Sequence, residues 1–227
     1  MSKKSRRTAP KQASVAKSLT LMAAGVLGAL AIAAFLSQGA EEAPETTGAR
    51  QEISTATARI RGPEHATLKL VEFGDYQCPS CRFYHGIVTE LFERFPDQLA
   101  LEFHHFPLAS IHHNSVFAAV AAESAGEQNR IGEMHDLLFD NQDLWANSPN
   151  PESVFISFAA QLGLDQDTFM QSLRASDTES RVLLDVTEAR KLQINAVPAF
   201  FLDGRPVPLP PNVEEFERLI YTALESR

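Results

Sequence analysis

Hydrophobic positions along this chain switch between a strand period and a helix period. Thr67–Phe73 (TLKLVEF) is a short apolar run closed by Gly74-Asp75, which predicts a buried strand. Phe83, Ile87, Val88, Leu91, Phe92 and Phe95 then fall at helical spacing. Pro79 suits the first position of that helix and Pro96 marks its stop. Leu99–Phe106 predicts a second strand. The unit is therefore βαβ, and Cys78 and Cys81 stand at the start of its helix.

A long helical stretch follows. Ser115–Ala125 is rich in alanine and ends at Gly126. Ile131, Met134, Leu137 and Leu138 share one face; Val154, Phe155, Phe158, Ala159 and Leu162 share another, closed by Gly163. Asp165 is placed to cap a short helix carrying Phe169 and Leu173. Asp177 is placed to cap a longer one carrying Val182, Leu183, Val186 and Ala189. Strand character returns at Pro198–Leu202, followed by the hairpin dipeptide Asp203-Gly204. Arg205–Pro208 answers it, confined to a sheet edge by its two prolines. Val213, Phe216, Leu219, Ile220 and Ala223 form a closing amphipathic helix. No internal repeat is visible. The order predicts an α/β fold with a helical insertion at about 109–192.

The N-terminal end reads differently. Leu19–Leu36 holds 18 residues without a charge, at the lower edge of what spans a bilayer. Lys3, Lys4, Arg6, Arg7, Lys11 and Lys17 precede it with no acid among them, and Glu41, Glu42 and Glu45 follow. The positive-inside rule puts residues 1–18 in the cytoplasm and the body outside. A cleaved signal peptide wants small residues at −3 and −1. Cuts after Ala40 or Ala34 place Gln38 or Ile32 at −3, so an uncleaved anchor is the preferred reading. Arg6-Arg7 is followed by Thr8-Ala9-Pro10, a poor match to twin-arginine export. Residues 37–57 are small, polar and acidic, and read as a flexible linker. The expected organisation is thus a basic segment (1–18), a membrane anchor (19–36), a linker (37–57) and one domain (58–227).

Composition narrows the function. Net charge is −9 despite the basic head, so the body is acidic, which argues against a nucleic-acid partner. The chain has two cysteines, too few for a disulfide scaffold or for a cysteine zinc module on their own. His104 and His105 are neighbours on a strand and point to opposite faces, so they do not complete a metal site with the pair. Haem attachment wants His after the second cysteine, where Arg82 stands. A disulfide across so short a loop constrains the unfolded chain little, which makes a structural staple a poor use of it. Redox chemistry fits each position. The helix N-terminus offers unpaired N–H groups and a partial positive charge. These favour a thiolate at Cys78, and Cys81, one turn on, can close a Cys78–Cys81 disulfide.

The stretch VEFGDYQCPSC (Val71–Cys81) resembles the strand–CxxC–helix of the DsbA-like thiol–disulfide oxidoreductases, members of the thioredoxin superfamily. HFPLASIHHNSVFAAVAAESA (His105–Ala125) and MHDLLFDNQ (Met134–Gln142) resemble that family's helical insertion. AVPAFFLDGR (Ala196–Arg205) resembles its cis-proline strand and turn. The resemblance covers roughly residues 58–225 and implies a thioredoxin-like α/β fold with an inserted helical subdomain, here behind an N-terminal transmembrane helix. It implies Cys78 as the attacking cysteine and Cys81 as its buried partner. It implies Val197-Pro198 as a cis-proline loop offering backbone hydrogen bonds to an extended substrate. Glu72 matches the family's acidic residue. It shares a strand face with Leu68 and Leu70, and burial there would let it relay protons to Cys81.

The implied activity is introduction of disulfides into exported proteins with free cysteines, in the periplasm or another extracytoplasmic space. A membrane redox partner would reset the pair, with no bound cofactor and no metal. The family's most oxidising members carry Pro-His between the cysteines. Pro79-Ser80 lacks that histidine, which keeps a reductase or isomerase open as an alternative. A non-catalytic binding module on the same scaffold is the third reading. His85, Phe83 and Tyr84 read as surface or groove residues of the helix, and Trp145 as core or rim.

Overall fold

The computed structural model describes residues 48–53, 59–63 and 65–227. The expected anchor, Leu19–Leu36, lies outside them; among the described residues no helix is long and apolar enough to cross a membrane.

Among the described residues, five strands form one sheet: β1 (Arg59–Arg61), β2 (Leu68–Gly74), β3 (Leu99–His105), β4 (Ala199–Leu202) and β5 (Arg205–Val207), in the order β1-β3-β2-β4-β5. β2 and β3 are parallel, as a βαβ crossover requires, and the other pairings are antiparallel. The crossover is α1 (Pro79–Arg94). The insertion supplies α2 (Ser115–Gly126), α3 (Ile131–Asp140), α4 (Gln142–Trp145), α5 (Glu152–Gln161), α6 (Gln166–Leu173) and α7 (Ser176–Lys191), and α8 (Val213–Glu225) closes the fold. The edge strand β1 and the short helix α4 carry too few residues for a periodicity to show.

β2 is buried on both faces, as the central strand of a covered sheet should be. Leu68 and Leu70 pack with Ile87, Val88 and Leu91 of α1 and Phe216, Leu219 and Ile220 of α8. Val71 and Phe73 pack on the opposite face with Phe201 and Ala189 of α7. A third cluster joins the insertion to the cysteines, with Trp145, Phe139 and Phe155 among its fully buried members. The hairpin turn places Asp203 at φ 49 and Gly204 at φ 77, the left-handed pair such a turn requires.

Asp165 caps α6, accepting the Thr168 N–H at 2.8 Å. The expected cap at Asp177 is corrected: α7 begins two residues earlier, behind Ala175, and Asp177 lies in its first turn. Leu183, expected on the buried face of α7, is 52% exposed. The α7 core face runs instead through Thr178, Val182, Asp185, Val186 and Ala189. Polar groups help fasten this helix. Asp185 accepts the His105 N–H at 2.8 Å and lies 3.1 Å from His104 Nδ1, while Arg181 Nε donates to Glu123 of α2 at 2.9 Å. Glu123 in turn lies 3.0 Å from His105 Nε2. The end of β3 is thereby tied to two insertion helices at once.

Gly74, the last residue of β2, has no room for a side chain. A Cβ there would stand 2.6 Å from Phe103, whose ring is wedged against Tyr76 and His135. Gly74→Ala is expected to cost ~1–3 kcal/mol in urea unfolding. Gly86→Ala, inside α1 with nothing within 4 Å, is expected to gain ~0.5–1 kcal/mol.

Candidate active site

The loop between β2 and α1 is built around Asp75, which is 1% exposed. One carboxylate oxygen accepts the Gln77 N–H at 2.8 Å. The other accepts the Leu108 N–H at 2.8 Å and lies 2.7 Å from His112 Nδ1. The Asp75 carbonyl accepts the Cys78 N–H at 3.0 Å, and its own N–H points at Cys81 Sγ at 3.5 Å. Gln77 donates to the Ala146 carbonyl and accepts the Asn114 N–H. Gln142 of α4 donates to the carbonyls of both Tyr76 and Cys78, at 2.7 and 3.1 Å. The segment carrying the cysteines is thus held from the insertion as well as from the sheet. Asp75, Gln77, His112 and Gln142 were not among the site residues that the sequence suggested. The signal available was a run of polar residues inside an otherwise apolar motif, and their partners lie 33 to 69 positions away.

Cys78 is the N-cap of α1, and Pro79 takes the first helical position, where a missing N–H costs nothing. Pro79 and Ser80 are exposed, while Cys78 and Cys81 are buried, at 8% and 0%. Both cysteines are free thiols here. A hydrogen bond from the Cys81 thiol, with the N–H groups of Cys81 and Ser80, pulls the Cys78 pKa down to about 6. Burial and the Asp75 charge oppose this. Burial pushes the Cys81 thiol above the ordinary thiol range, helped by its bond to Cys78 and by the Glu72 charge. Cys78 is the thiolate and Cys81 the thiol.

Glu72 lies at 1% exposure on the Leu68/Leu70 face, and burial raises its carboxyl to about 8. Val197-Pro198 is a cis peptide, Pro198 is buried, and Val197 packs against the cluster that holds both cysteines. Tyr84 is buried, its hydroxyl donating to the Pro210 carbonyl at 2.9 Å, whereas Phe83 is 57% exposed. Trp145 is core. The surface reading of His85 is corrected: it is 7% exposed, because α3 packs across that face of α1 and stacks Phe139 on the ring.

The sequence matches the family model described as Thioredoxin over residues 54–222. The chain belongs to the thioredoxin family. Among solved structures, this thioredoxin-family chain is similar to BdbD from Bacillus subtilis. The two are 21% identical, with 78% of this chain and 97% of that chain covered and a TM-score of 0.70. It is also similar to Wolbachia pipientis alpha-DsbA1, at 19% identity, 77% and 94% coverage and a TM-score of 0.67. At these identities the likeness is one of fold, and that fold is the DsbA-like one, with its helical insertion. Among curated proteins, a Na(+)/H(+) antiporter NhaA 1 of Mycobacterium sp. (strain KMS) is 37% identical over 150 residues, covering 64% of this chain and 23% of that protein. A Na(+)/H(+) antiporter NhaA 3 of Salinispora tropica is 33% identical over 167 residues, covering 74% and 25%. The chain spans about a quarter of the length of these curated relatives.

Glu72 and Cys78 act on stability with opposite signs. The folded-state pKa of Glu72 lies above its unfolded value, so its contribution is lost as pH rises from 4.5 to about 8. The folded-state pKa of Cys78 lies below its unfolded value of 9.0, so its contribution grows as pH rises from about 6. In the disulfide form the cysteines do not titrate. There, wild type is expected to lose up to ~1.4 kcal/mol per pH unit relative to Glu72→Gln across this window, in denaturant unfolding. Reduction is expected to flatten the wild-type profile above pH ~6.

Proposed function

We propose that this thioredoxin-family chain is an extracytoplasmic protein thiol–disulfide oxidoreductase working through a Cys78–Cys81 couple. The observation that carries the reading is the pair of opposed thiols, with the Cys78 pKa pulled down to about 6 beside a Cys81 pushed up. A stabilised Cys78 thiolate favours the reduced pair, and so makes the disulfide an acceptor of electrons. In that direction a substrate thiolate attacks Cys78 Sγ of the disulfide, the Cys78–Cys81 bond breaks, and Cys81 leaves. Glu72, its carboxyl raised by burial to about 8, would hand Cys81 the proton it needs. A second substrate thiolate attacks the substrate sulfur of the mixed disulfide and Cys78 leaves as a thiolate. The substrate has lost two electrons and two protons, and the cysteines have gained the electrons. A membrane redox partner would withdraw them again.

The cis Val197-Pro198 segment, with Val197 against the cysteine cluster, would hold the substrate chain by its backbone. Exposed Phe83, Ile111 and Leu144 stand on the segments that flank the active-site loop and suit an unfolded, partly apolar substrate. The acceptor direction also agrees with export behind an anchor at residues 19–36. Relatives named as Na(+)/H(+) antiporters carry a segment of 150 to 167 residues similar to this chain. Pro79-Ser80 favours the reductase as the second reading, since it lacks the histidine of the most oxidising members.

Equilibration with a glutathione buffer distinguishes the two directions. The oxidase reading expects a potential well above ~−270 mV, the value of thioredoxin, and a value at that level would overturn it. Cys81→Ser is expected to trap a mixed disulfide when its Cys78 thiolate attacks a disulfide-bonded peptide and expels the peptide's other sulfur as a thiolate, and Cys78→Ser to form none. Full activity in Cys78→Ser would refute thiol chemistry altogether.

A further inference from the structure

A second set of metal-ligating side chains meets behind the redox loop, where α1 packs on α3. His85 lies on α1, one turn beyond Cys81, and faces His135, Asp136 and Asp140 of α3. Ligand atoms of His85, His135 and Asp136 all lie within 4.8 Å of one another. His85 Nε2 is 3.8 Å from Asp136 Oδ1 and 3.6 Å from Asp140 Oδ1, too far for a hydrogen bond in either case. Two ligands bound at ~2.0–2.1 Å to one tetrahedral ion stand about 3.3–3.5 Å apart. The two His85 separations stand a few tenths of an ångström above that spacing and beyond direct hydrogen bonding, and the widest pair in the set of three is within 4.8 Å, so binding an ion would draw the side chains together.

The rings are prepared for the same role. His135 and His85 are both nearly buried, at 6% and 7% exposure. His135 Nδ1 is engaged by the Tyr76 hydroxyl at 3.1 Å, which orients the ring and leaves Nε2 as its ligating atom. Asp136 is partly exposed and Asp140 mostly so, which gives an ion a way in from solvent. One cation is already present: Arg61 Nη1 donates to Asp136 Oδ1 at 2.6 Å, with its guanidinium over the Phe92 ring. Arg61 comes from the edge strand and its side chain is 35% exposed, so it can swing away.

We propose that His85, His135 and Asp136, with Asp140 at the rim, bind one divalent transition-metal ion of the zinc class in exchange for Arg61. Two imidazoles and a carboxylate suit Zn²⁺, Co²⁺ or Cu²⁺ and disfavour Ca²⁺ and Mg²⁺, which take oxygen ligands. The competing explanation is packing: His85 stacks on Phe139 and His135 meets Phe103 edge-on, as two flat rings in an aromatic cluster.

The two explanations part on titration with Co²⁺ and then Zn²⁺. The full chain is used with Cys78 and Cys81 oxidised, so that no thiolate competes. A metal site gives one equivalent of bound ion, with visible ligand-field bands of low-coordinate cobalt that Zn²⁺ abolishes. His85→Phe and His135→Phe preserve a flat ring and are expected to weaken binding by more than the ~10–100-fold typical of losing an outer-shell partner. Arg61→Gln is expected to tighten binding, a change that packing alone does not predict. If a histidine variant fails to fold, Asp136→Asn supplies the same loss from a partly exposed position. Absence of stoichiometric binding in both wild type and Arg61→Gln would overturn the proposal. So would binding that survives His85→Phe or Asp136→Asn unchanged. None of these readouts depends on the redox activity.

Discussion

The buried carboxylate of Asp75 is the constraint on which the site depends. A carboxylate taken out of water must be fully hydrogen-bonded, and this one is satisfied from two directions. Gln77 N–H answers from its own loop, and Leu108 N–H and His112 answer from the segment after β3. Neither segment can shift without stranding that charge. Because the same residue's carbonyl holds the Cys78 N–H, the charge also sets where α1 begins, and so which atoms meet the Cys78 sulfur.

From that placement the rest of the chemistry follows by burial. Cys78 sits where helix N–H groups converge, and Cys81 sits one turn deeper at 0% exposure. Glu72, with one oxygen lacking a hydrogen-bond partner, is kept protonated by the same apolar face that builds the core. A satisfied carboxylate and an unsatisfied one thus lie three residues apart on one strand end. The first is structural, held by its partners; burial raises the carboxyl of the second to about 8.

The insertion is more than an addition to the sheet. His104 and His105, on opposite faces of β3, are each met by an acid from a different insertion helix, Asp185 of α7 and Glu123 of α2. Gln142 of α4 grips the carbonyls beside the first cysteine. The helices therefore act as a clamp on the active-site end of the sheet, and the apolar cluster that includes both cysteines belongs as much to them as to the sheet.

By itself the sequence determined the order and type of nearly every element, because hydrophobic period, proline and glycine placement are local. It pointed to the cysteine pair too: CxxC behind a strand, with proline at the first helical turn, needs no distant partner to be read. The strand alternation even put Glu72 on the apolar face. Tertiary structure alone decided how each of these groups is charged. Desolvation and hydrogen bonding depend on what covers a residue, and the covering segments arrive from tens of positions away. Asp75 looked like the end of a strand until Leu108 and His112 closed over it. His85 looked exposed until α3 packed across it. The periodicity of one segment carries no record of which other segment will lie against it.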